Sequence, residues 1–186
     1  MTARLSHLLN GLRVATREMP QATTVSIGIW VNAGARDETV KEQGIAHMLE
    51  HMAFKGTRRR SSLDIATEIE HVGGHLNAYT SRETTVYHAT VLKDDIDLAL
   101  DIISDIVLNS TFDEEELDRE RGVVLQEIGQ ANDTPDDIIF DLFQETAYPD
   151  QPLGRPILGT AEIVAAMPRI TLVDYIGAQY GGDRMV

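Results

Sequence analysis

The chain has 186 residues, of which 42% are hydrophobic, 30 are acidic and 16 are basic, for a net charge of −14, and it has no cysteine. This length can bury a core within one domain, and no apolar run reaches the roughly 20 residues of a membrane helix, so a membrane span is not expected. The acidity disfavours nucleic acid as a partner, and fits either simple solubility or cationic ligands. The absence of thiols excludes disulfides and thiolate metal ligands.

The first twenty residues carry three arginines, a glutamate and an Asn10-Gly11 turn where a secretory signal would have an apolar stretch. No leader is expected, and a cytoplasmic bacterial chain fits. Alternating residues around Asn10-Gly11 predict an opening hairpin with a type I′ turn and a returning strand over Leu12 to Arg17. Thr23 to Val31 reads as a longer strand, with Val25, Ile27, Ile29 and Val31 on its core side. A loop through Gly34 to Glu38 leads to the run His47-Met48-Leu49-Glu50-His51.

In a helix, residues four apart share a face, so the imidazoles of His47 and His51 can converge on one metal ion. At about 100° per residue from His47, Glu50 falls near 300° and His51 near 40°. This leaves the carboxylate about one side chain from the metal face, where a general base belongs. The order His-x-x-Glu-His is the inverted zinc-peptidase signature. Two histidines do not complete a catalytic zinc site, which takes three protein ligands, so a third must come from elsewhere in the chain.

Ser61 or Ser62 is placed to cap a second helix that ends at Gly73-Gly74. His75 to Tyr79 and Thr84 to Leu92 read as paired strands, followed by a helix over Asp94 to Leu108. Thr111 to Asn132 reads as another helix, with Thr111 as N-cap and Glu114 completing a capping box. Its apolar stripe is Leu117, Val123, Val124, Ile128 and Ala131, and Glu120 and Glu127 fall inside that stripe. Buried carboxylates cost several kcal/mol unless compensated, so these two acids need a cation or strong donors. A zinc ion held by the histidine helix would serve. Glu114, Glu115 and Asp118 read as a solvated acidic helix end.

Thr134-Pro135 restarts a helix running to about Ala147, Tyr148 to Gly159 is irregular, and Thr160 and Thr171 are placed to cap two short helices. The apolar end at Arg184-Met185-Val186 reads as the start of a further strand, and a chain cut short there is the expectation.

HMLEH followed by Glu127, at 127 − 51 = 76 positions beyond the second histidine, resembles the pitrilysin-type (M16) zinc peptidases, and most closely their bacterial branch similar to the mitochondrial processing peptidase β subunit. The surrounding text agrees: NGLRVATREMP, GARDE, QGIAHMLEHMAFKGT and NAYTSRETTVYHATVLKDD. The resemblance spans essentially the whole chain. It implies an α+β fold, a two-layer α/β sandwich with a mainly antiparallel sheet and helices on one face. Residues 1–186 would form the zinc-binding N-terminal peptidase domain.

Position by position, the resemblance implies His47, His51 and Glu127 as zinc ligands, Glu50 as the base, and Glu120 as an acid supporting a ligand from behind. Asn77, Ala78 and Tyr79 would belong to an edge strand that pairs with an extended peptide substrate. It further implies a second peptidase half or partner subunit, with a homo-oligomer left open, and a cavity suited to basic peptides. The activity implied is zinc-dependent endopeptidase.

Two alternatives compete. S-ribosylhomocysteine lyases share the HxxEH helix but take a cysteine ligand, which this chain lacks. A non-catalytic subunit of an M16-type heterodimer is the second, although such subunits usually lose motif residues that are all retained here. His71 and His75 are also four apart, but Gly73-Gly74 breaks the helix between them, and a turn or core role is the better reading. His7 and His88 read as structural residues within strands.

Overall fold

A computed structural model describes residues 2–186. The chain opens with a hairpin of β1 (Arg4–His7) and β2 (Arg13–Thr16), paired antiparallel. The turn is longer than the type I′ expectation. Leu8 and Leu12 bracket a three-residue loop in which Gly11 N–H donates to Leu8 O at 3.0 Å and Leu8 N–H to Leu12 O at 2.8 Å. Of the central residues only Gly11, at φ 89°, is left-handed, whereas a type I′ turn needs Asn10 there as well.

The second sheet has the order β3-β5-β4, with β3 (Thr24–Val31), β4 (His75–Thr80) and β5 (Thr85–Leu92) all antiparallel. Alternation decides its two faces. Thr85, Tyr87, Ala89 and Val91 of β5 are buried with Val31 and Ala78, while Ser26, Trp30, His75, Asn77, Tyr79 and Thr90 lie on an open face. The helices therefore cover one side, as expected for an α+β sandwich. Val186 pairs with Trp30 through backbone bonds of 2.9 and 3.0 Å on the β3 edge away from β5.

Covering the buried face are α2 (Ser62–His71) and α3 (Ile96–Leu108), which pack Ile65, Ile69, Ile102, Ile103 and Ile106 against the sheet. Ser61 caps α2 as expected, with Asp64 completing the capping box. A second apolar cluster joins α1 (Ile45–Ala53), α4 (Glu114–Asp133), α6 (Ala161–Ala166) and α7 (Arg169–Gln179) through Met48, Met52, Leu117, Val124, Val164 and Leu172. Helix α1 thus runs between the sheet and a helical layer. α5 (Pro135–Ala147) starts at Thr134-Pro135 as expected and buries none of its residues.

Three further expectations are corrected. Asp113, not Thr111, caps α4, accepting from Glu115 N and Glu116 N at 2.9 and 3.2 Å. Thr111 is engaged with Gly56 O, and Phe112 at φ 48° turns the chain before the helix begins. Val123 is exposed while Val124 is buried, which narrows the apolar stripe of α4. Helix α7 starts after Pro168, two residues ahead of Thr171, and Arg169 at its first turn reaches back to the carbonyls of Thr111 and Phe112. Among the described residues no helix is long and apolar enough to cross a membrane.

Candidate metal centre

His47 and His51 project from α1 toward α4, their ring centroids 4.6 Å apart. Opposite them Glu127 places Oε2 at 3.6 Å from His47 Nε2 and 3.5 Å from His51 Nε2. These separations are too long for good hydrogen bonds. They match a shared ion instead, since donor atoms at about 2.0–2.2 Å from a tetrahedral metal stand roughly 3.3–3.6 Å apart. One ligand atom from each of the three residues lies within 4.8 Å of the others, and among the described residues no other such group of metal-binding side chains occurs.

Donor chemistry agrees with the distances. Burial, reinforced by the neighbouring His51, lowers the His47 pKa to about 4, so its imidazole is neutral at pH 7 and has a free lone pair. His47 Nδ1 is buried without a hydrogen-bond partner among the described residues. His51 is held differently, with Nδ1 at 2.9 Å from Glu120 Oε2. A carboxylate there fixes the Nδ1–H tautomer and leaves Nε2 facing Glu127. Glu120 is almost fully buried, two helical turns before Glu127, and its second oxygen meets Lys55 Nζ at 2.7 Å. The sequence expectation of a buried acid needing a cation is met at Glu120 by this lysine.

Glu50 lies on the adjoining flank of α1. Burial raises its carboxyl pKa above the ordinary glutamate value, opposed by hydrogen bonding to Thr80 and by His51. With His47, Tyr79, Thr80, Asp137 and Asp141 it lines a cleft of about 390 Å³. β4 forms one wall, and among the described residues no strand pairs with its edge away from β5. Asn77 and Tyr79 are exposed there, Ala78 is buried, and Asn77 Oδ1 accepts from the Ala78 N–H at 2.9 Å. His71 and His75 stand at the exposed ends of α2 and β4, and His7 and His88 lie in β1 and β5.

Residues 13–161 match the family described as Insulinase (Peptidase family M16). The chain belongs to the M16 peptidase family. It is 49% identical over 183 residues to the mitochondrial-processing peptidase subunit beta of Saccharomyces cerevisiae, covering 98% of this chain and 40% of that protein. To the human subunit beta it is 48% identical, covering 98% and 37%. A putative M16-like peptidase from Alicyclobacillus acidocaldarius shares the structure with a TM-score of 0.89 at 26% identity, over 100% of this chain and 44% of that one. A protease from Helicobacter pylori shares the fold with a TM-score of 0.93 at 24% identity, over 99% and 45%. The chain thus spans about 40% of the length of the curated relatives it matches.

Within this M16 domain, two residues in contact with the site's supporting elements escape sequence reasoning. Glu38 is buried and accepts from Gly44 N and Ala46 N at 2.8 and 2.9 Å, tying down the start of α1. Burial pushes its carboxyl up to about 8, against these two donors and Arg155. Gly44 at φ 87° packs where a Cβ would stand 2.5 Å from Leu158 O, so it cannot carry a capping side chain, and the cap comes from six residues earlier. The absence of Ser, Thr, Asp or Asn at that helix start is the signal that could have pointed to Glu38. Lys55 is the second, and its position just after α1 carried no local pattern.

Proposed function

We propose that this chain is the zinc-holding part of an endopeptidase that hydrolyses peptide bonds in extended peptides. The observation that carries this reading is the convergence of His47, His51 and Glu127, with Glu50 in the adjoining cleft. Two imidazoles and a carboxylate are a donor set suited to zinc. Bound there, zinc would supply Lewis acidity toward a scissile carbonyl and toward water.

The chain's own residues supply the rest. Glu50 takes the proton of the attacking water and returns it to the leaving amine, and its partly buried setting suits a carboxyl that must hold that proton between the two steps. Glu120 orients His51 through Nδ1. The free edge of β4 at Asn77, Ala78 and Tyr79 offers backbone groups to an extended peptide, a pairing that tolerates varied side chains. Asp137 and Asp141 place negative charge in the same cleft, which favours basic peptides.

Residues 1–186 act as one zinc-binding N-terminal domain, and a second peptidase half or a partner subunit supplies the far wall of the substrate chamber. The chain's relatives are named as one subunit and are more than twice its length. A non-catalytic subunit is the weaker reading, because Glu50 and His47 together line an accessible cleft beside His51 and Glu127.

Full-length protein with its partner, compared as wild type and Glu50→Gln, tests the proposal. The variant should keep its zinc while peptide hydrolysis falls by roughly 10²–10⁴-fold. Retained turnover would remove Glu50 as the base, and a wild type that stays inert with its partner would favour the non-catalytic subunit.

A further inference from the structure

The two histidines of the metal centre are supported unequally. Among the described residues His47 Nδ1 has no hydrogen-bond partner to orient that ring from behind. His51 is oriented by Glu120, and Glu120 is itself clamped between His51 Nδ1 at 2.9 Å and Lys55 Nζ at 2.7 Å. Lys55 follows α1, its N–H donating to Met52 O at 3.2 Å, and among the described residues it is the one Lys or Arg in ion-pair contact with Glu120. Its side chain is 30% exposed while that of Glu120 is 7% exposed, so the stem crosses from the surface and delivers the ammonium to a nearly dry carboxylate.

A glutamate on α4 has rotamers that point its oxygens away from α1, and a single hydrogen bond from one imidazole selects weakly among them. Two donors on two different oxygens select one rotamer, because losing it breaks both bonds. Lys55 and His51 sit on the same chain segment four residues apart, so the α1 segment grips the α4 carboxylate at two points.

We propose that Lys55 is a positioning residue for the metal centre: through Glu120 it fixes the orientation of His51, and with it the affinity of the His47–His51–Glu127 set for zinc. This rests on the zinc reading given above. Partners behind a metal-binding histidine typically change affinity by about 10- to 100-fold when removed. Lys55, one contact further back, is expected to weaken zinc binding about tenfold when replaced by Met, which keeps the stem but not the charge. Arg retains both charge and donors, so Lys55→Arg should restore most of the affinity.

The test measures zinc affinity of the 186-residue chain by competition with a chromophoric chelator, for wild type, Lys55→Met, Lys55→Arg, Glu120→Gln and the double variant Glu120→Gln/Lys55→Met. Lys55→Met should bind about tenfold more weakly, Lys55→Arg near wild type, and the double variant no more weakly than Glu120→Gln alone. Equal affinity in wild type and Lys55→Met would overturn the role of Lys55 while leaving the zinc reading standing. Additive losses in the double variant would show that Lys55 acts independently of Glu120 and would likewise overturn it. Failure of the wild-type chain to bind zinc would overturn both readings. A Lys55→Met chain that does not fold is covered by Lys55→Gln, from which the same weakening and the same dependence on Glu120 are expected.

Discussion

Asp141 accepts a hydrogen bond from Arg82 Nη2 at 2.8 Å, and the same guanidinium donates through Nε to Leu153 O at 3.1 Å. This ties α5 and the loop after it to the turn between β4 and β5, and Asp141 itself lines the cleft beside His47 and Glu50. Asp141 is therefore already partly neutralised. Asp137, one helical turn earlier and lining the same cleft, has no ion-pair partner among the described residues.

The two acids should behave differently. In the full-length protein, Asp137→Asn is expected to lower kcat/KM for an Arg- or Lys-bearing peptide by roughly two- to fivefold while leaving a neutral peptide unaffected, the range of a solvent-exposed charge pair. Asp141→Asn should slow both peptides, because it also frees Arg82 and the wall it holds. Equal losses for basic and neutral peptides in Asp137→Asn would remove charge from the account of substrate choice.

A second prediction concerns pH and the loop that follows α1. Asp105 on α3 is wholly buried and accepts from Thr57 Oγ1, Arg59 Nε, Arg60 Nη1 and Asn109 Nδ2 at 2.7, 3.1, 3.0 and 2.9 Å. Burial pushes its carboxyl up, but these four donors together outweigh burial and hold it below the usual aspartate range. A group with a depressed folded pKa contributes stability above its unfolded value, near 4, and loses that contribution as pH falls through the folded value. Urea unfolding of the chain should therefore show stability falling as pH drops below about 4. Asp105→Asn should be less stable by roughly 1–3 kcal/mol at pH 7, since Thr57, Arg59 and Arg60 lose a buried charged acceptor while Arg60 keeps Glu68 and Asp101, and should show a flatter acid limb. Parallel pH profiles in the two proteins would contradict this.

A third prediction follows from α5, where Ile139, Phe140 and Phe143 are 55%, 69% and 62% exposed. An apolar face of this kind is made to be covered. The 186-residue chain alone should fold and bind zinc, yet self-associate, and the double substitution Phe140→Ser/Phe143→Ser should shift it toward monomer in sedimentation without loss of zinc. If, as proposed, a second half supplies the far wall that holds substrate in register, the chain alone should cleave peptides very slowly, because positioning can account for roughly 7–11 kcal/mol of a barrier. Specific activity equal to that of the full-length protein would show the far wall to be dispensable.

Sequence reaches the centre of this site because its chemistry is written at helical spacing. His47, Glu50 and His51 need only one helix to be placed, and Glu120 and Glu127 stand out as acids in an otherwise apolar stripe of α4. What sequence did not show are the contacts made across elements. Glu38 reaches the start of α1 through a loop of irregular geometry, and Lys55 meets Glu120 across 65 positions, 120 − 55, with no periodicity to announce it. The cap of α4 differs from the sequence expectation for a local reason, the positive φ of Phe112, a conformation that a bulky residue rarely adopts and that residue type alone does not signal.

The central claim is that His47, His51 and Glu127 hold one zinc ion, and elemental analysis of the chain purified without chelator tests it most directly. One zinc per chain is predicted for the wild type, falling well below that in Glu127→Gln, where a neutral amide replaces an anionic ligand, while circular dichroism stays unchanged. A wild type without zinc, or a Glu127→Gln variant with undiminished zinc, would contradict the account.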